Sequence, residues 1–269
     1  MRQYVSSSNP DKKGLIEVKN KDYAYLKNVL RITIGDMLAV RTLDGDLINT
    51  TVARIDEKNK SITLQICHKK SEDFGETQSD YKAETKFYLF QFAAKGPKMD
   101  LIIRQAAETG VSEIIPVNGT YCQNGLNEKK SRNDRYDRII KEARQQSGSP
   151  VETKVKDIVS IEEAVEYWKK KIENVENESF ACVLYERNEK TKNLFEALDG
   201  QKIIKNCAVF CGAEGGISPD EIEFLNKNGI IPIHFDTNIL RCETAALYGI
   251  ACVQSAVTGK EKWKTTKQN

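Results

Sequence analysis

Two short loops in the last third of the chain hold the residue types best suited to a ligand. Residues 211–219 read Cys-Gly-Ala-Glu-Gly-Gly-Ile-Ser-Pro, and residues 235–241 read Phe-Asp-Thr-Asn-Ile-Leu-Arg. Gly212, Gly215 and Gly216 leave the first loop with little side-chain bulk, so a ligand can approach its backbone closely. Ser218, Pro219 and Glu221 then mark a helix start, as N-cap, first helical residue and the glutamate of a Ser-x-x-Glu capping box. The glycines do not form the G-x-G-x-x-G dinucleotide fingerprint, and the lysine of a phosphate-binding P-loop is missing. Each loop follows a short apolar run, 207–210 or 230–234, and leads into a helix; the second helix, 242–251, is rich in small residues and reads as buried. Loops at the ends of consecutive strands fit an open α/β sheet, which binds ligands at the carboxyl ends of its strands.

Taken together, Gly212-x-Glu214-Gly215-Gly216-Ile217-Ser218 and Ile239-Leu240-Arg241-x-Glu243-Thr244-Ala245 resemble the cofactor region of the SPOUT RNA methyltransferases. Within that group the pair is most similar to the ribosomal RNA small subunit methyltransferase E family. The likeness extends to Val29-Leu30-Arg31 with Gly35-Asp36, to Lys95-x-x-Lys98-Met99-Asp100, to Glu108-Thr109-Gly110-Val111 and to Ile114-Ile115-Pro116. It implies transfer of a methyl group from S-adenosylmethionine to N3 of a uridine in 16S rRNA of the small ribosomal subunit. It also implies an α/β fold, a SPOUT-type mainly parallel sheet with a C-terminal trefoil knot, preceded by a small PUA-like RNA-binding β-barrel, and a homodimer with the cofactor site near the interface. By the same resemblance, Leu184, Gly212, Gly215, Gly216, Ile231, Phe235, Asn238 and Leu240 would hold S-adenosylmethionine. A SPOUT enzyme acting at another RNA position, such as a ribose 2′-hydroxyl, and a non-catalytic RNA-binding assembly factor are the alternatives. The chain departs from the family pattern at Ala213, where proline is usual, at Asp236 for glycine, at Asn238 for arginine and at Ser149 for arginine.

For such a reaction most of the catalysis is positioning, and the proton on uridine N3 has to leave. Arg241 is the candidate for stabilising the resulting anion, because a fixed cation favours the deprotonated base. Glu243 is a candidate general base, although a glutamate at a helix start is more often a partner of the helix dipole. Glu214, between glycines, could accept hydrogen bonds or orient Arg241.

The elements that must position these residues are legible in outline. The 269 residues suffice for one large domain or two ordinary ones, and 39% hydrophobic with 30% charged is a soluble globular composition. No apolar run is long enough to span a bilayer and no signal peptide is visible, so no membrane association is expected. Seven cysteines without a Cys-x-x-Cys pair, and two histidines, His68 and His234, lead us to expect no metal and a reduced, cytoplasmic protein. Cys207 and Cys211 read as small buried hydrophobes.

Residues 1–70 read as a β-rich domain with strands at 38–42, 48–55 and 61–66 and one helix over 23–31. This segment carries thirteen Lys and Arg against eight Asp and Glu, so the chain's net +2 conceals a basic N-terminal part. Such a module suits phosphate contact, or is simply a solvated lysine-rich surface; Arg2 and Arg31 are its candidates for RNA contact. Residues 71–82 read as a linker and 83–269 as the methyltransferase domain. Within it, strands at 86–94, 111–117 and 179–186 alternate with helices at 99–109, 129–147 and 161–172, which implies a mainly parallel sheet. The basic helix 129–147, which includes Arg135 and Arg138, either lies against RNA phosphates or is a solvated face. The basic tail 260–267 is expected to be frayed.

Overall fold

The structure, a computed structural model, describes residues 3–67, 85–122, 129–201 and 203–266. Arg2, His68 and the linker 71–82 therefore lie outside the described residues. The chain divides into two units, Met1–Lys82 with Arg144–Pro150, and Ala83–Ala143 with Val151–Asn269.

The first unit is a five-stranded sheet of β1 (Gln3–Val5), β2 (Leu15–Lys19), β3 (Met37–Arg41), β4 (Leu47–Asp56) and β5 (Ser61–Ile66), in the order β1-β3-β4-β5-β2. It forms a half-barrel in which β1 and β2 are the two edges. Alternating residues of these strands, among them Tyr4, Ile16, Val40, Val52, Ile62 and Leu64, close its core. Strands β1 and β2 escape the sequence reading because Ser, Asn, Pro, Asp and Gly crowd around them. The helix expected over 23–31 is two pieces, α1 (Asn20–Ala24) and a π-helical turn, Tyr25–Val29, closed by Arg31 at φ 55°.

The second unit is built on β6 (Lys86–Phe92), β7 (Glu113–Asn118), β8 (Lys154–Val155), β9 (Val159–Ser160), β10 (Ser179–Leu184), β11 (Asn206–Cys211) and β12 (Ile231–Ile233). Their order is β12-β10-β11-β6-β7-β8, with β9 also on β7, and every pairing is parallel. Helices α2 (Gly96–Glu108), α3 (Lys129–Ser147), α4 (Ile161–Ile172), α5 (Leu194–Ala197), α6 (Pro219–Lys227) and α7 (Cys242–Thr266) complete it, except that the last residues of α3, from Arg144, count with the first unit. The central strands are apolar on both faces because both are covered. Leu89, Cys182, Cys207 and Val209 face one core with α2 and α7. Phe90 and Phe210, stacked at 4.2 Å, face the other with α4 and α6. Helix α7 continues to Thr266, and its apolar face at Ala246, Ile250, Val253 and Val257 stays in the core well past the small-residue start.

Candidate functional site

The two loops meet at the carboxyl ends of β10, β11 and β12. With the start of α7 they enclose a cleft of about 440 Å³. The first loop folds back on itself. Gly216 N–H donates to the Ala213 carbonyl at 3.0 Å, and Gly216 has φ 77°. A Cβ on Gly212 would stand 2.9 Å from the Gly216 carbonyl carbon, so the turn admits no side chain there. The predicted cap forms: Ser218 accepts from the Glu221 N–H, and the Glu221 carboxylate accepts from the Ser218 N–H at 2.9 Å. The second loop is braced by Phe235, whose ring meets that of Tyr248 edge-on at 5.3 Å. His234 Nδ1 lies 3.1 Å from the Tyr185 carbonyl, which holds β12 to the end of β10. At Gly249 a Cβ would strike Leu184 at 2.3 Å; α7 needs its small residue there to seat against β10.

Of the residues singled out from the sequence, Leu184, Gly212, Glu214, Gly215, Gly216, Phe235, Asn238, Leu240 and Arg241 all line the cleft. Ile231 does not; it pairs with Cys182 deeper in the sheet and packs on the core, while Ile233, two residues on, reaches the cleft wall. Glu243 sits in the first turn of α7, beside the lining residue Cys242. Arg31 is exposed in the first unit. Arg135 and Arg138 are engaged on the helix surface, Arg135 with Asp100 and Arg138 with Glu142 at 4.0 Å, which favours the solvated-face reading for these two.

The electrostatics separate the charged groups. Glu214 pairs with Lys98 at 3.4 Å and accepts the Lys95 N–H at 3.1 Å, rather than orienting Arg241. Partial burial works to raise its carboxyl, but these bonds and the Lys98 charge hold it below its ordinary value. Glu243 is also held low, first by its own backbone N–H at the helix start and then by Cys242, Lys98 and Arg241. Burial pushes the thiols of Cys211 and Cys242 up to about 12, so both stay protonated and neither is a nucleophile. Arg241 is exposed at the cleft, and its guanidinium makes no hydrogen bond or ion pair with a described residue. Among the described residues no group of three His, Cys, Asp or Glu is placed to hold a metal.

Two lining residues carry charge that the sequence reading did not assign to the site, Lys98 and Glu186. Lys98 stood in one of the matching motifs, but a residue 116 positions upstream gives no local sign that it will reach Glu214. Glu186 stands two residues past the end of β10, and position at a strand end was its only local signal.

Comparison with known proteins agrees with this geometry. Residues 82–254 match the family model described as RNA methyltransferase domain. The ribosomal RNA small subunit methyltransferase E 2 of Borreliella burgdorferi is 27% identical over 260 residues, covering 93% of this chain and 96% of that protein. The Bacillus subtilis ribosomal RNA small subunit methyltransferase E is 24% identical over 245 residues, 88% of each chain. The crystal structure of the Neisseria gonorrhoeae enzyme of that name, bound to S-adenosylmethionine, superposes with a TM-score of 0.77 over 95% of this chain and 98% of that one, at 21% identity. The last likeness is one of fold. The family match spans well over half of the sequence and contains every element of the cleft: the chain belongs to the RNA methyltransferase domain family.

Proposed function

We propose that this RNA methyltransferase transfers a methyl group from S-adenosylmethionine to N3 of a uridine in 16S rRNA of the small ribosomal subunit. The observation that carries the reading is the cleft itself: a glycine turn without room for side chains, apolar walls and, at the same place, Arg241, whose guanidinium makes no hydrogen bond or ion pair with a described residue. Its volume is within the range of about 300–1,000 Å³ usual for cofactor sites. The backbone of Gly212, Gly215, Gly216 and Leu240, with Leu184, Ile233, Phe235 and Asn238, would hold S-adenosylmethionine, which supplies a methyl group on a sulfonium when bound. Arg241 would lower the energy of the negative charge left on the uracil once its N3 proton has gone. Glu243, held ionised at a helix start, serves first as a dipole partner there; Glu214 keeps Lys98 and the Lys95 amide in place.

The half-barrel of the first unit is, in this reading, a PUA-like RNA-binding module, with Arg2 and Arg31 as contacts. The second unit carries a trefoil knot and forms a homodimer in the cytoplasm. Asp236, whose side chain is fully exposed on the second loop, favours a second reading in which a different RNA position is modified. Nucleoside mass spectrometry of 16S rRNA from cells with and without the gene tests both. Loss of N3-methyluridine, restored by the wild-type chain, supports the first; loss of a ribose methyl supports the second. Unchanged nucleosides reject both.

A further inference from the structure

Directly after β7, residues 119–122 form a short turn that touches the glycine loop of the cleft. Cys122 N–H donates to the Gly119 carbonyl at 3.0 Å. Gly119 is seated so tightly that a Cβ would meet the Phe92 ring at 2.4 Å and Glu221 Oε1 at 2.8 Å. The Thr120 N–H donates to Glu221 Oε1 at 2.7 Å. Glu221, itself only 8% exposed, therefore spends one carboxylate oxygen on the cap of α6 and the other on this turn. Beside it, the Cβ of Tyr121 would lie 2.8 Å from a Cβ on Gly215. Three anchors thus hold the backbone of Tyr121 against the cleft wall, while the residue stays 49% exposed. A tyrosine ring left half in water on a rigid support presents an apolar π-face to whatever enters beside it.

Taking the proposed function as its basis, we infer that Tyr121 is the stacking platform for a nucleobase of the RNA substrate at the cleft mouth. Single-stranded nucleotides are gripped by aromatic faces more than by charge alone, and enzymes that modify a base in RNA unstack it first and restack it on protein. A ring standing beside Gly215, on the wall of a cleft that also holds Lys98 and Arg241, fits a base attached to phosphate, which offers both a π-face and a negative charge.

The test uses the full chain, S-adenosylmethionine and small ribosomal subunits that lack the modification. Tyr121→Ala and Tyr121→Leu should lower kcat/KM for the subunits roughly 5- to 150-fold, the range of one lost base–aromatic contact. Tyr121→Phe and Tyr121→Trp should stay within about threefold of wild type, since both keep a π-face. Calorimetric affinity for S-adenosylmethionine should be the same in all five proteins. Leucine performing as well as phenylalanine would reduce the side chain to packing and overturn the inference. So would four variants at wild-type activity, or a fall in cofactor affinity that matches the fall in activity, which would place the ring on the cofactor. Wild-type protein that binds S-adenosylmethionine but methylates no subunit would overturn the proposed function, and the inference with it, before any variant is read.

Discussion

Both ends of the parallel sheet carry clusters of charge, and the clusters differ in one respect. At the amino end of β7, Glu113 accepts from the Tyr167 hydroxyl at 2.5 Å and from Lys171 at 3.0 Å, with Lys156 at 3.7 Å. Lys171 also lies over the rings of Tyr88 and Tyr167, at 5.6 and 5.2 Å. Every charge in that cluster has an internal partner. At the carboxyl ends, Glu214 takes Lys98 and Glu243 takes the helix start, yet Arg241, whose charge is felt by Glu243, makes no hydrogen bond or ion pair with a described residue. A closed network stabilises the fold; a cation left over beside a cleft is available to a substrate.

The sharpest way to break that contrast is Arg241→Ala. Single-turnover methylation should fall about a hundredfold or more, in line with loss of a group that stabilises developing charge, while S-adenosylmethionine affinity stays within about twofold. Activity close to wild type would remove Arg241 from the chemistry. Next in size is Gly212→Val, which forces the loop off Gly216. It should weaken S-adenosylmethionine about tenfold or more by calorimetry, and unaltered affinity would mean that the turn is not part of the cofactor site.

At the other pole, Glu113→Gln should leave methylation alone and lower unfolding stability by about 2 kcal/mol near pH 7, the scale of hydrogen bonds to a charged group. Burial works to raise the Glu113 carboxyl, but Tyr167, Lys171 and Lys156 outweigh it and hold it below the ordinary range of a glutamate. A depressed folded pKa stabilises the protein above the unfolded value and ceases to do so as pH falls through the folded one. The difference between wild type and variant should therefore close as chemical denaturation is repeated at pH values falling below about 4.5; a difference independent of pH would show that the carboxylate charge is not what matters. The smallest effect is expected from Glu243→Gln. Because Glu243 is already held ionised, any rise of rate above pH 6 belongs to another group and should survive in the variant, with a loss in rate of less than about tenfold. Disappearance of that rise would make Glu243 the base.

The local signals in the sequence proved strongest where one residue type has one physical use. Ser218-Pro219-x-Glu221 specified a helix start, and the capping box is there. The helices expected over 129–147 and 161–172 are found with those bounds as α3 and α4. Reading failed where the decisive partner was distant. The π-turn at Tyr25–Val29 looks like any helical segment, and the run of α7 past residue 251 goes with core contacts of Val253 and Val257 whose partners are distant in sequence. In the candidate site, glycines and Arg241 were legible because bulk and charge are properties of single residues. The exchange of Ile231 for Ile233 at the cleft wall was not, because strand end and loop start differ by a register of two residues.

What the sequence determined by itself was composition along each element: which runs are apolar on both faces, where helices begin, and which loops lack side-chain bulk. Only the tertiary structure decided that Lys98 would close on Glu214, that Glu221 would spend its second oxygen on the turn beside Tyr121, and that the Arg241 guanidinium would make no hydrogen bond or ion pair with a described residue. Those outcomes depend on pairings across 100 or more residues in the sequence between Thr120 and Glu221, and side-chain hydrogen bonds of that reach act only once the parallel sheet has aligned its strand ends.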